Sequence, residues 1–197
     1  MIIVDLSQIM ISNLMIQING RNAPELSEDL VRHMVLNSLR GHNRKFRDKY
    51  GEMVLAADSG NVWRKQVFPN YKANRKEARQ KSEHDWPDIF EILTTIRKEL
   101  KENMPYRYVE LDTTEADDII ASYAKYGEEN NINTIVYRSD KDLFQLLTGT
   151  IKIIDPMKNI EIDEERVFEK FGVTPDKITD VQALIGDTAD NIPGVPG

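Results

Sequence analysis

Four short runs of apolar, β-favouring residues each end at a polar or acidic position. Met1 to Val4 stops at Asp5, Met53 to Ala57 stops at Asp58, Thr134 to Tyr137 leads into Arg138-Ser139-Asp140, and Ile151 to Ile154 stops at Asp155. Apolar runs of this length, the fourth broken only by Lys152, predict buried strands. Between them, apolar residues recur at helical spacing. Ser27 followed by Glu28 and Asp29 predicts a helix start, with Leu30, Met34, Val35 and Leu39 on its face and a basic, polar tail ending near Tyr50. Ile89, Leu93, Ile96 and Leu100 form a second stripe that ends before Pro105. A third helix, capped by Thr113 or Thr114, runs through Ile119, Ile120 and Tyr123 and is ended by Gly127. After Asp155 the pattern changes to short helices over 163–171 and 175–185 and a Gly/Pro-rich tail over 190–197. Such alternation predicts an α/β domain with a mostly parallel central sheet flanked by helices, whose ligands gather at the carboxyl ends of the strands.

Composition adds limits. At 197 residues the chain supports one substantial core. Its 26 basic and 33 acidic residues give a net charge of −7, which argues against simple non-specific adhesion to nucleic acid. The distribution changes that picture. From Asn61 to Ser82 seven basic residues (Arg64, Lys65, Lys72, Arg75, Lys76, Arg79, Lys81) face one acid, Glu77, a local charge of +6 that leaves −13 for the remainder. A basic insert in an acidic domain is a candidate phosphate-tracking element, with a solvated charged helix or loop as its plainer alternative. The absence of cysteine removes disulfides, thiolate zinc sites and cysteine nucleophiles. No apolar run approaches the ~18 residues of a membrane span, so the expectation is a soluble, cytoplasmic protein. No P-loop, G-x-G-x-x-G or nucleophilic serine motif is present, and His33, His42 and His84 lack metal-ligand spacing.

The candidate chemistry lies in the acids. Asp5, Asp58, Glu115, Asp117, Asp118, Asp140, Asp142, Asp187 and Asp190 stand where strands or motif segments end. In a parallel sheet Asp5, Asp58 and Asp140 share one edge. Asp140 and Asp142 lie on the same side if the chain is still extended there. Glu115 and Asp118 share a helix face, whereas Asp117 points about 200° from Glu115, so the three converge only if Glu115 sits at the irregular entry to the helix. Carboxylates at this density stay ionised together only beside compensating cations, and oxygen ligands without His or Cys select magnesium or manganese over zinc. Two such ions about 4 Å apart suit phosphodiester hydrolysis. Any single Asp here is more often a cap or a solvated charge, and Thr114-x-x-Asp117 also fits a capping box.

Taken in order, Asp5, Asp58, Glu115-Ala-Asp117-Asp118, Ser139-Asp140-Lys141-Asp142 and Gly186-Asp187-x-x-Asp190-Asn191-Ile192-Pro193-Gly194-Val195 resemble the bacterial and phage 5′ nucleases. That family includes flap endonucleases, phage RNase H and the 5′-3′ exonuclease domain of DNA polymerase I. Arg64 with Pro69-x-Tyr71-Lys72-x-x-Arg75 matches the basic arch that the family carries between its second and third acidic motifs. The resemblance implies a PIN-like nuclease core over 1–155, with a basic helical arch at about 60–86. The stretch 156–197 would be the start of a C-terminal helical-hairpin region, cut short at Gly197.

It further implies a metal-dependent, structure-specific 5′ nuclease of DNA replication and repair. Two Mg2+ ions, with Mn2+ as a substitute, would be held directly or through water by the nine acids, and K+ would bind the C-terminal hairpin where that hairpin is complete. Lys72 and Arg75 would contact the scissile phosphate. Arg64, Lys65, Tyr71, Lys76, Arg79, Gly194 and Gly197 would meet DNA, with Tyr71 either a stacking platform or a packing residue. The expected partners are DNA with 5′ flaps or ends, RNA:DNA hybrid and replication proteins. The protein would be a monomer without membrane association, in a bacterial cell or phage-infected host. Leu6 departs from the family, which commonly has glycine after the first aspartate. The rival readings are a PIN-type ribonuclease, a haloacid-dehalogenase-like phosphatase, which would want an Asp where Ser7 stands, and a non-catalytic DNA-binding scaffold.

Overall fold

The computed structural model describes residues 1–19, 26–138, 140–156 and 158–196. Every residue of β1 (Ile2–Asp5), β2 (Met53–Ala56) and β4 (Thr134–Tyr137) is buried. These strands are covered on both faces, which is why they are apolar without alternation. With β5 (Ile151–Asp155) and the edge strands β3 (Arg107–Val109) and β6 (Ile160–Ile162) they form a six-stranded sheet in the order β3-β2-β1-β4-β5-β6. β1 to β5 run parallel, and β6 pairs antiparallel with β5. The mostly parallel sheet is therefore as expected. β3 and β6, three residues each, have no counterpart in the apolar pattern. The expected division at 155/156 falls inside the β5–β6 hairpin.

Successive residues of β1 feed two cores. Ile2 and Val4 pack with α1 (Leu6–Ile18), α2 (Glu28–Tyr50) and α5 (Trp86–Asn103). Ile3 faces the opposite layer, made by α6 (Ala116–Glu129), a 3-10 helix over Lys141–Leu146, α7 (Glu164–Phe171) and the first residue of α8 (Ile178–Ile185). α1 is absent from the expected elements because its sequence is apolar almost all round, with Ile11 and Ile16 left exposed. α2 starts at the Ser27 cap as expected, but its buried face is Val31, Val35, Leu39 and Phe46 rather than one containing Leu30, which is exposed. Gly127 does not end α6. It lies inside the helix, where a Cβ would come within 2.4 Å of Thr134 Oγ1.

Among the described residues no helix is long and apolar enough to cross a membrane. In the strand order β1 lies between β2 and β4. The chain moves outward from β1 through β2 to β3 and then returns to β1's other side, so the β1/β4 junction is the topological switch point, where parallel sheets open a crevice at their carboxyl ends.

Candidate active site

That crevice is a cleft of about 640 Å³. Asp5, Asp58, Glu115, Asp117 and Asp140 line it on the acidic side. Asp5 ends β1 and is also the N-cap of α1, its Oδ1 accepting the Gln8 N–H at 2.8 Å, and it is fully buried. Asp58 lies two residues past β2 and accepts from Ser7 Oγ at 2.6 Å and from the Ala116 N–H at 2.9 Å. Glu115 has extended backbone angles and caps α6, the irregular entry that allows it and Asp117 to reach the same cleft. A capping box links Glu115 with Asp118, one residue later than the Thr114/Asp117 box. These placements follow from chain direction: strands deliver carboxylates at their ends, and the positive end of α6 receives two more.

Cations answer the acids. Arg138, the first residue after β4, pairs with Asp5 and lies 3.1 Å from Asp117 and 2.8 Å from Asp140. Lys72 reaches Glu115 at 2.7 Å and Asp190 at 3.6 Å. Burial, then the nearby Asp140 charge, pushes the Asp117 carboxyl up to about 7. Burial is the largest influence on Asp140, but the Arg138 hydrogen bond and charge, the Asp142 N–H and the Lys72 charge together outweigh it and hold that carboxyl below its ordinary value. Asp5 Oδ2 and Asp117 Oδ1 are buried and meet the Arg138 guanidinium without a well-formed hydrogen bond. An all-carboxylate set whose buried oxygens are answered by ion pairing alone fits a hard divalent cation.

A second group stands beside the first. Asp142, Asp187 and Asp190 can each bring one oxygen within 4.8 Å of the others. Asp187 and Ile192 exchange backbone hydrogen bonds across a tight turn. The turn requires glycine at two positions: Gly186 has φ +71°, and a Cβ on Gly194 would lie 2.5 Å from the Ile185 backbone. Lys141 lies 3.2 Å from Asp187, Arg75 lies 2.6 Å from Asp190, and Gln182 donates to Asp142. Burial, then Asp140, raises the Asp142 carboxyl.

Several expected residues take other positions. Asp118 turns away from the cleft to pair with Arg64 at 2.7 Å; burial alone would raise its carboxyl, but the Arg64 bond and charge with the Glu115 N–H and the Trp63 indole together hold it below its ordinary value. Arg64 also reaches Glu115 at 2.8 Å. Asp140 and Asp142 part company because the chain is no longer extended after Asp140: it caps the 3-10 helix, and its Oδ1 accepts the Asp142 N–H. Tyr71 is no stacking platform. It is 5% exposed, and its hydroxyl lies 2.9 Å from Glu115 and 3.1 Å from Asp190, so burial and those carboxylates push its pKa far above the ordinary tyrosine value and keep it protonated.

The basic segment expected to form the arch contains α3 (Arg64–Val67) and α4 (Asn74–Gln80). Lys72 precedes α4 in a left-handed turn, φ 56°, and is not on one helical face with Arg75. Its N–H donates to the Asp190 carbonyl at 3.0 Å, which docks the arch on the tail turn. Lys65 and Arg79 border the cleft, Arg79 also lying over the Phe90 ring, and Lys76 is exposed outside the cleft lining. Gly194 is explained by packing. Gly197 and Ser139 lie outside the described residues. Arg138, Ser7, Lys141 and Gln182 were not expected at the site. Only the adjacency of Arg138 and Lys141 to Asp140 signalled a role, because their partners come from distant segments.

Doubly covered sheet, acidic switch-point cleft and basic arch together define a nuclease-like α/β domain. The chain belongs to a specific family of that kind: the model for the 5'-3' exonuclease, N-terminal resolvase-like domain, matches residues 23–172. It is 34% identical over 154 residues to a 5'-3' exonuclease of Aquifex aeolicus, covering 78% of this chain and 50% of that protein. It is 38% identical over 155 residues to DNA polymerase I of Bacillus subtilis, covering 76% of this chain and 17% of the polymerase. The chain thus spans half or less of the curated relatives it matches. Among solved structures, T5 5'-exonuclease with bound divalent metal ions (zinc) superposes with TM-score 0.80 at 20% identity, over 100% of this chain and 70% of that one. A T5 flap endonuclease in complex with DNA and metal ions gives 0.79 at 19% identity, with the same coverage. At these identities the likeness is one of fold.

Proposed function

We propose that the protein is a metal-dependent 5′ nuclease acting on DNA 5′ ends and flaps, and on RNA:DNA hybrid. The observation that carries this reading is the convergence of Asp5, Asp58, Glu115, Asp117 and Asp140 on one cleft whose other wall is the basic arch. Those five residues would hold one divalent ion, and Asp142, Asp187 and Asp190 a second, Mg2+ with Mn2+ as substitute. Asp118 acts through Arg64 instead of as a ligand. When bound, the ions supply an activated water and offset charge on the leaving oxygen.

The chain's own groups bind and orient. Lys72 and Arg75, now paired with Glu115 and Asp190, face the scissile phosphate once those carboxylates are engaged in ligation. There they oppose charge that grows in the transition state. Lys65 and Arg79 on the cleft border guide the backbone without reading bases. The segment at about 60–86 serves as the arch over a single strand, and 156–197 contributes to gripping duplex. The setting is the cytoplasm of a bacterial cell or phage-infected host.

Digestion of end-labelled 5′-flap, blunt duplex and RNA:DNA substrates with Mg2+ tests this. Cuts at or near the 5′ junction that leave 5′-phosphates, abolished by chelator and by Asp140→Asn, are expected. Undiminished cleavage in excess chelator, or saturable DNA binding with no cleavage in any divalent ion, would overturn it, the latter in favour of a DNA-binding scaffold.

A further inference from the structure

Arg138 occupies a position that the nuclease reading does not use. The other cations near the acids come from the arch and from the 3-10 helix, whereas Arg138 leaves the end of β4 and its backbone N–H donates to the Ile154 carbonyl at 3.1 Å. Its side chain is only 16% exposed. Nη1 meets Asp5 Oδ2, and Nη2 meets Asp117 Oδ1 and Asp140 Oδ2. The first two are buried oxygens that this ion pairing reaches without a well-formed hydrogen bond. A guanidinium is a permanent single charge of fixed planar shape, so it offsets one of three carboxylates and cannot align with all of them. A divalent ion on the same oxygens carries twice the charge and imposes no planar fork.

We infer that Arg138 is an internal counter-cation of the candidate metal centre, which competes with one divalent ion for Asp5, Asp117 and Asp140. This rests on the proposed metal-centre reading. In the absence of metal the guanidinium relieves carboxylate repulsion and lets the cleft form. Loading then requires that it withdraw, so divalent affinity is set lower than the carboxylates alone would give.

Calorimetry with Mn2+ and Mg2+ on the wild type, Arg138→Gln and Arg138→Lys tests the competition. Removal of one opposing charge at contact distance should tighten one binding event by about tenfold or more in Arg138→Gln. Arg138→Lys, with a single shorter-reaching charge, should fall between. The metal-free Arg138→Gln protein should also melt lower and gain more in melting temperature on adding Mn2+. A second measurement needs no variant: in arginine-labelled wild type, the Arg138 side-chain NMR signals should shift as Mg2+ saturates the protein. Equal or weaker binding by folded Arg138→Gln, or a stationary Arg138 signal at saturation, overturns the competition while leaving the metal centre standing. Absence of saturable divalent binding in both wild type and Arg138→Gln overturns the metal centre and the competition together.

Discussion

The two groups of carboxylates are built differently. Asp5, Asp58, Asp117 and Asp140 are carried by strand ends and a helix start, and their central cation, Arg138, follows directly on β4 of the same sheet. Asp142, Asp187 and Asp190 come from a 3-10 turn and a tail turn, and their cations, Lys141 and Arg75, come from that same 3-10 turn and the arch. The first group is fixed by the fold itself. The second exists only while arch and tail are docked, through Asn74 to the Thr188 carbonyl, Lys72 to Asp190 and Asn191 to the Asn70 carbonyl. Substitutions in the first should therefore strike the chemistry, and those in the second should be recoverable by restoring occupancy.

The largest effect is expected at Asp117→Asn. Loss of a direct ligand should exceed the ten- to hundredfold cost typical of an outer-shell partner, so flap cleavage should fall by more than about a hundredfold. Its carboxyl is pushed up to about 7 by burial and by Asp140, so at pH 8 its ionised form is disfavoured by folding, and the metal-free variant should melt no lower than wild type. A clear fall in melting temperature would show the acid to be structural.

Next come the arch cations. Lys72→Ala should slow single-turnover cleavage by about a hundredfold with little change in DNA binding measured in Ca2+, because a cation aimed at developing charge acts mainly on the transition state. Arg79→Ala should weaken binding and leave the saturated rate nearly intact. If both variants show the same ratio of rate loss to affinity loss, the arch is only an electrostatic guide.

Asp187→Asn should cost about tenfold at low divalent concentration and recover as the ion is raised, since two carboxylates of its group remain. A deficit that persists at saturating metal would place the second group on the same footing as the first. The smallest effect belongs to Tyr71→Phe, which keeps the ring and removes the donor shared by Glu115 and Asp190. Denaturant unfolding should show a loss of about 1 to 3 kcal/mol, with cleavage changed only a few-fold.

The same contrast governs what the sequence disclosed. β1, β2, β4 and β5 were legible as apolar runs, and Asp5, Asp58 and Asp140 followed from them, because a parallel strand's end fixes where its next acid lies. Ile160-Glu161-Ile162 was not legible, since a three-residue antiparallel edge is too short for a pattern and is specified by its partner β5. The roles of Asp118 and Tyr71 were hidden for a related reason. Each depends on a contact between segments more than forty residues apart, Arg64 for one and Glu115 with Asp190 for the other. Arg138 stood in plain view beside Asp140, yet its meeting with Asp5 and Asp117 needed the folded sheet.

Asp5 is the last residue of β1 and the cap of α1, with no loop between them. Loops elsewhere can absorb a change in length; this junction cannot. One residue inserted between Asp5 and Leu6 would turn α1 by about 100° relative to the strand, carrying Leu6, Ile9, Leu14 and Gln17 out of the core they now fill. The chain is thus length-locked at the residue where the cleft begins, whereas the exposed stretch around Lys76 has room to lengthen. Insertion scanning across the gene should recover folded variants in the arch and none at this junction.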